Sequence, residues 1–282
     1  MRVTNCNSIM AMKTKCGFAV FFSALLLFAC SGGAAAQDGN GFEGARHKTV
    51  RTMFGFGRQD VLDTYLSPLI YKGFDLRFVR DIRRSAARNG RIMLDNSFDI
   101  DASMPENKSG YREYALLFNW NYAVRYELLN RNGWRVECGG ASDLAVGGLY
   151  NPHNGNNPAS ARASYSVDAS FLAGYSFRIR QRRIDLEYKL DVPLLGAVFS
   201  PVYGLSYYEM FEKGSRDGVV RFASLHNRPS MKNRITADVR FDFLTLSFGY
   251  MWDVNQTSVN NLKTHYYTQS FLIGFKKYIW TR

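Results

Sequence analysis

The sequence predicts an all-β protein: an antiparallel up-and-down transmembrane β-barrel of about ten strands, with eight or twelve as alternatives, behind an N-terminal signal peptide. Three observations carry this. An apolar leader opens the chain, and a period-two alternation of apolar and polar residues runs through most of the remaining residues. No later segment offers the ~20 consecutive apolar residues that a membrane helix needs.

The leader comes first. Arg2, Lys13 and Lys15 make a positive start, no acid precedes Asp38, and an apolar run extends from Gly17 to Ala29. That run is about 13 residues, long enough for a signal peptide and too short to cross a bilayer. Two exits compete. Ala34-Ala35-Ala36 forms an A-x-A site for cleavage after Ala36, whereas Leu27-Phe28-Ala29-Cys30 resembles a lipobox in which Cys30 would be lipidated. The expected boundaries are therefore 1–36 for the signal peptide, 37–48 for a Gly-rich flexible leader and 49–282 for the barrel.

Composition narrows the class. The 282 residues are 46% hydrophobic and 15% aromatic with only 7 Pro, which excludes disorder. Cleavage after Ala36 leaves Cys138 as the one cysteine of four, so an exported chain gains no internal disulfide. No Cys or His pair has the spacing of a zinc site, and no cofactor motif is present; Gly55 and Gly57 lack the helix that a nucleotide loop requires. The formal charge is +12; removing three basic residues leaves +9 (33 basic against 24 acidic). Export argues against nucleic acid, so outer-membrane lipid head groups are the expected partner.

Period two then dominates. From Tyr114 to Leu128 the even positions are Tyr, Leu, Phe, Trp, Tyr, Val, Tyr and Leu, while the odd positions turn polar at Asn119, Asn121, Arg125 and Glu127. Successive strand side chains point to opposite faces, so one face is greasy and the other ionic. Ile184–Val192 sets Ile184, Leu186, Tyr188, Leu190 and Val192 against Asp185, Glu187, Lys189 and Asp191. Ile92, Leu94, Phe98 and Ile100 oppose Asp95, Asp99 and Asp101, and Val239 opposes Asp238 and Arg240. Tyr165 to Ile179 puts Val167 and Phe171 against Asp168 and Arg178. A soluble sandwich would show the same alternation. The segments, however, run roughly 11 to 17 residues against a globular mode of about 5–6, and Tyr and Trp favour their ends, as in interfacial belts. The apolar face is therefore read as lipid-facing.

Short turns and long loops alternate. Asn89-Gly90, Asn132-Gly133, Arg180–Arg183 and Asp242–Thr245 read as tight turns on the periplasmic side. Gln59–Leu69, Pro105–Gly110, Asn151–Ala163, Leu195–Lys232 and Asn255–Lys263 read as extracellular loops. Thr49–Phe56 and Thr264–Trp280 supply the first and last strands. Tyr207–Phe211 and Val219–Phe222 would raise the count to twelve if they inserted. The last strand, with Phe271, Ile273, Phe275, Tyr278 and Trp280, resembles the C-terminal signal read by outer-membrane assembly machinery; Thr281 and Arg282 depart from its usual terminal aromatic.

Two stretches carry a family resemblance: Gly55-Phe56-Gly57-Arg58-Gln59-Asp60-Val61-Leu62-Asp63-Thr64-Tyr65-Leu66-Ser67-Pro68-Leu69, and Phe199-Ser200-Pro201-Val202-Tyr203-Gly204-Leu205-Ser206-Tyr207-Tyr208-Glu209-Met210-Phe211. Together they resemble an uncharacterised (domain of unknown function) family of small Bacteroidota-type outer-membrane barrels. The resemblance spans nearly the whole mature chain. It implies a barrel and outer-membrane residence, and no reaction.

Chemistry is sparse. Acyl transfer needs a nucleophile beside a His. Of His47, His153, His226 and His265, only His265 is a candidate, with Ser258 and Ser270 near it in sequence. Asp95, Asp99 and Asp101 could suggest a metal, with Asp99 and Asp101 roughly 7 Å apart on one strand face, but no metal site is expected because basic residues lining the lumen would neutralise them. The expectation is an ion-pair network lining the lumen, formed by Arg77, Asp95, Asp99, Asp101, Arg125, Glu127, Arg135, Arg178, Asp185, Glu187, Lys189, Asp238 and Arg240. The basic turns Arg83, Arg84, Arg88 and Arg180, Arg182, Arg183 read as solvated. The reading is a monomeric, non-enzymatic outer-membrane barrel, structural, adhesive or narrowly conducting. A lipid-modifying barrel enzyme centred on His265 and a soluble or lipid-anchored periplasmic β protein are the alternatives.

Overall fold

The computed structural model describes residues 47–86, 90–155, 157–201, 206–213 and 218–280. The expected signal peptide with its alternative exits at Ala36 and Cys30, nearly all of the expected leader, Arg88, Asn89 and residues 202–205 lie outside them. The described chain forms β1 (His47–Asp63), β2 (Ser67–Ser85), β3 (Ile92–Glu106), β4 (Tyr114–Arg131), β5 (Trp134–Tyr150) and β6 (Ala159–Ile179). It continues with β7 (Arg182–Phe199), the short helix α1 (Tyr207–Phe211), β8 (Val220–Ser224), β9 (Met231–Arg240), β10 (Thr245–Val259) and β11 (Leu262–Trp280).

Each strand pairs antiparallel with the next from β1 to β7, β7 pairs β9, and β11 pairs both β10 and β1. The ring is closed and holds ten strands. β8 stands outside the count: it pairs with Leu195–Phe199 at the top of β7, above the stretch Ile184–Asp191 that pairs β9. The segments Tyr207–Phe211 and Val219–Phe222 therefore add a helical turn and a flap, not two crossing strands.

Strand parity decides what faces where. Odd positions of β1 to β5 and β10, and even positions of β6, β9 and β11, turn inward and are buried. Their neighbours carry the exposed Phe54, Phe56, Phe74, Leu76, Leu116 and Phe271. The greasy face is outside and the ionic face inside.

The strands overrun the expected loops. β1 continues to Asp63 and β2 starts at Ser67, so Gln59–Leu69 is mostly strand. β10 and β11 are joined by Asn260 and Asn261, both at positive φ, the backbone of a two-residue hairpin turn. Beyond the hydrocarbon, outward positions become polar, as with Lys72 bonded to Asp60 at 2.9 Å, so period two fades while the ladder persists. Asn132 and Gly133 have the positive φ expected of their turn. β7 runs past the expected end at Val192 because a bulge absorbs Pro193: Asp168 faces Pro193 and Val167 faces Leu195, leaving Leu194 unpaired. Inward parity then switches to Gly196 and Val198.

Two glycines let the closing pair of strands approach. A Cβ on Gly57 of β1 would stand 1.9 Å from the Gln269 carbonyl of β11, and one on Gly274 would stand 2.0 Å from the Thr52 carbonyl. A Gly57→Ala chain should therefore lose roughly 1–3 kcal/mol of stability, read as a lower temperature for the folded-to-unfolded band shift on a gel.

Candidate functional site: the barrel lumen

The lumen has two parts. Toward the short-turn end, long ionic side chains from nearly every wall meet across it. Arg51 of β1 donates to Glu187 of β7 at 2.9 Å and to Asp238 of β9 at 2.7 Å, and Arg234 of β9 donates to Asp81 of β2 at 2.7 Å. Arg83 of β2 reaches Glu137 of β5 and Glu187, and Arg135 donates to Glu187 at 2.8 Å. Arg125, 1% exposed, pairs with Asp95 and with Glu137 and donates to Ser170 at 3.0 Å. Lys189 lies 3.8 Å from Asp95 and 3.3 Å from Asp191, and Lys276 lies 2.9 Å from Asp238. Charges taken out of water persist only with such partners.

Toward the other end, inward positions shorten to Ser160, Ser164, Ala145 and Gly147, and a cavity of about 120 Å³ opens. Arg77 donates to Asp99 at 2.9 Å and to Asp253 at 2.5 Å and stands 3.9 Å from Asp101, which also accepts from Gln59. Lys232 holds Asp143 at 2.7 Å. At the rim, Arg162 lies 3.2 Å from Asp63 and its guanidinium stacks 4.0 Å over Tyr266. Glu113, in the connection between β3 and β4, accepts from Asn151 at 3.0 Å; burial pushes its carboxyl up to about 7.

Most of the residues expected at the lumen come together there: Arg77, Asp95, Asp99, Asp101, Arg125, Arg135, Glu187, Lys189 and Asp238. Asp185 is half-buried beside Arg183 and Ser176. Three stand apart. Arg178 is exposed near the short-turn end of β6, Arg240 is exposed and stacks 4.6 Å over Tyr278, and Glu127 is half-exposed beside Asn130. A bulge at Leu128, between the pairs Glu127↔Glu137 and Leu129↔Val136, ends the inward row there. Arg83 is corrected the other way: it is part-buried in the network, not solvated, whereas Arg84 is exposed. Arg51, Asp81, Glu137, Arg234, Asp253 and Lys276 were not anticipated. Met53 and Gly55 beside Arg51, Val79 beside Asp81, and Met251 beside Asp253 blur the ionic signal of those strands, whereas Lys232, Arg234, Thr236 and Asp238 of β9 form a polar row that could have shown Arg234.

His265 sits on the outward face of β11, with Tyr267 Oη 3.2 Å from its Nδ1. Ser270 faces inward and donates to Asp75, and Ser258 is exposed and joined through its backbone to Asn227. The fold does not bring either serine to that imidazole.

A closed wall, an apolar belt outside and an ion-paired fill inside define a membrane-spanning β-barrel of the outer-membrane type, its outer wall against lipid. The chain belongs to a family of proteins of unknown function, DUF3316, whose model matches residues 20–281. No curated protein matches it in sequence. Solved structures of similar fold include the outer membrane protease OmpT from Escherichia coli (8% identity, TM-score 0.42, 83% of this chain and 97% of that one). The translocator domain of autotransporter NalP from Neisseria meningitidis (9%, 0.41, 94% and 97%) is another. A third is the COG4313 outer membrane channel from Pseudomonas putida F1 (8%, 0.39, 86% and 100%). The likeness is of the barrel alone.

Two measurements check this electrostatic account. Arg125→Met, which leaves Asp95 and Glu137 without that guanidinium, should lower unfolding stability by about 3–5 kcal/mol in denaturant titration. Glu113 binds its proton more tightly folded than unfolded, so its contribution falls as pH rises from the ordinary carboxylate range through about 7. Glu113→Gln should therefore raise the unfolding temperature at pH 8 and change it little at pH 5.

Proposed function

We propose that the protein is a sealed, monomeric, non-enzymatic outer-membrane barrel that works from its extracellular end. Export behind residues 1–36 and insertion by assembly machinery reading the final strand complete the reading. One observation carries it: the contacts Arg51–Glu187, Arg83–Glu137, Arg234–Asp81 and Lys189–Asp95 cross the lower lumen between strands that are not neighbours. Ions passing through would have to break paired, buried charges, each break leaving a desolvated group. The separation of His265 from Ser270 supports a binding or structural role over acyl transfer. The upper cavity is then a recess with a floor.

Purified barrel in planar bilayers should show no discrete channel openings. The double variant Arg51→Ala, Glu187→Ala, which removes a cross-lumen contact, should leak. Steady openings from the unmodified chain would sink the sealed reading.

A further inference from the structure

Several charged groups that line the recess keep a buried side-chain atom without a hydrogen-bond partner: Asp63, Arg77, Arg162, Arg228 and Asp253, of which Arg228 and Asp253 carry the argument. Arg228, in the turn between β8 and β9, is 3% exposed and lines the cavity, and its Nε and Nη1 have no hydrogen-bond partner. Asp143 and the buried Asp168 act on it electrostatically; Lys232 holds Asp143, and neither Asp168 oxygen makes a hydrogen bond, to Arg228 or to any other group. Asp253 of β10 is 8% exposed and lines the same cavity. Its Oδ2 accepts from Arg77, and its Oδ1 has no partner. Asp99, Asp101 and Asp253 cluster about that guanidinium, and Lys232, on the same lining, acts on Asp253 as well. Buried charged groups that do not reach each other are costly until something completes them.

We propose that the recess binds a zwitterionic group, an ammonium joined by a short linker to a phosphate or carboxylate. Its anion meets Arg228, and its ammonium meets Asp253 beside Asp99 and Asp101. One molecule then supplies partners of both signs to the recess. A volume of about 120 Å³ suits a head group and not a whole lipid. Above the pair Val254↔Met231 the β9–β10 ladder stops. From there the β8–β9 turn is tied to β10 by Ser258 N to Asn227 O at 2.8 Å and Gln256 N to Ser230 Oγ at 3.1 Å. The exposed Phe222 and Leu225 flank this seam. The ligand is thus a soluble zwitterion or the head of a phosphoethanolamine lipid.

The inference rests on the recess and not on its floor, so a conducting barrel that still bound would overturn the sealing alone. The test is calorimetric titration of the purified full chain in detergent with phosphoethanolamine, ethanolamine and inorganic phosphate. Phosphoethanolamine should bind about tenfold or more tightly than either half. Arg228→Gln should abolish the advantage over ethanolamine, and Asp253→Asn the advantage over phosphate. Nanodiscs of phosphatidylethanolamine that block the titration, where phosphatidylglycerol nanodiscs do not, identify the lipid head; no block identifies the soluble ligand. Halves that bind the unmodified chain as well as the whole, or no binding by any probe, overturn the proposal and leave water in the recess. That comparison needs no variant to fold.

Discussion

Everything in this barrel depends on keeping ionic side chains satisfied inside a wall whose outside is hydrocarbon. Strand alternation forces the two requirements on alternate positions of one strand: Phe54 must meet lipid while Arg51 and Gln59 of the same strand meet partners in the bore. The acids that answer Arg51 come from β2, β7 and β9, so the network forms only when the ring has closed. Closure and charge pairing are one event, because an open sheet would leave Glu187 and Asp238 without Arg51.

Side-chain length divides the lumen. In the lower half, Arg, Glu and Lys are long enough to span the bore and meet at 2.7–2.9 Å. In the upper half, Ser, Ala and Gly occupy many inward positions, and the shorter Asp residues stay near their own wall. Space remains where reach runs out. The bulge at Leu194 adds to this by reversing the parity of β7, which turns Gly196 and Val198 inward where odd residues would otherwise stand.

The outer surface was the most legible part of the fold. Tyr114 to Leu128 reads directly as one greasy and one ionic face, and Asn132-Gly133 marks its turn because both residues take positive φ. Legibility ended where a second rule overrode alternation. Pro193 marks an end for a regular strand, yet a bulge carries β7 through it. Gln59–Leu69 looks like a loop because Asp60, Asp63, Thr64, Ser67 and Pro68 break the apolar period there. In the lumen, strands with an unbroken polar row, such as Asp95, Ser97, Asp99 and Asp101, declare themselves. Asp253 beside Met251, and Arg51 beside Met53, do not.

By itself the sequence determined the period, the direction in which the greasy face points and the approximate number of crossings, since these depend on neighbouring residues and the chemistry of lipid. Only the tertiary structure decided which charges meet. Arg51 and Glu187 are separated by 136 residues and Arg51 and Asp238 by 187. Their pairing is set by strand register and bore diameter, which no local pattern encodes. The same closure left Arg228 and Asp253 apart, in a recess whose existence depends on how far side chains from ten strands can reach.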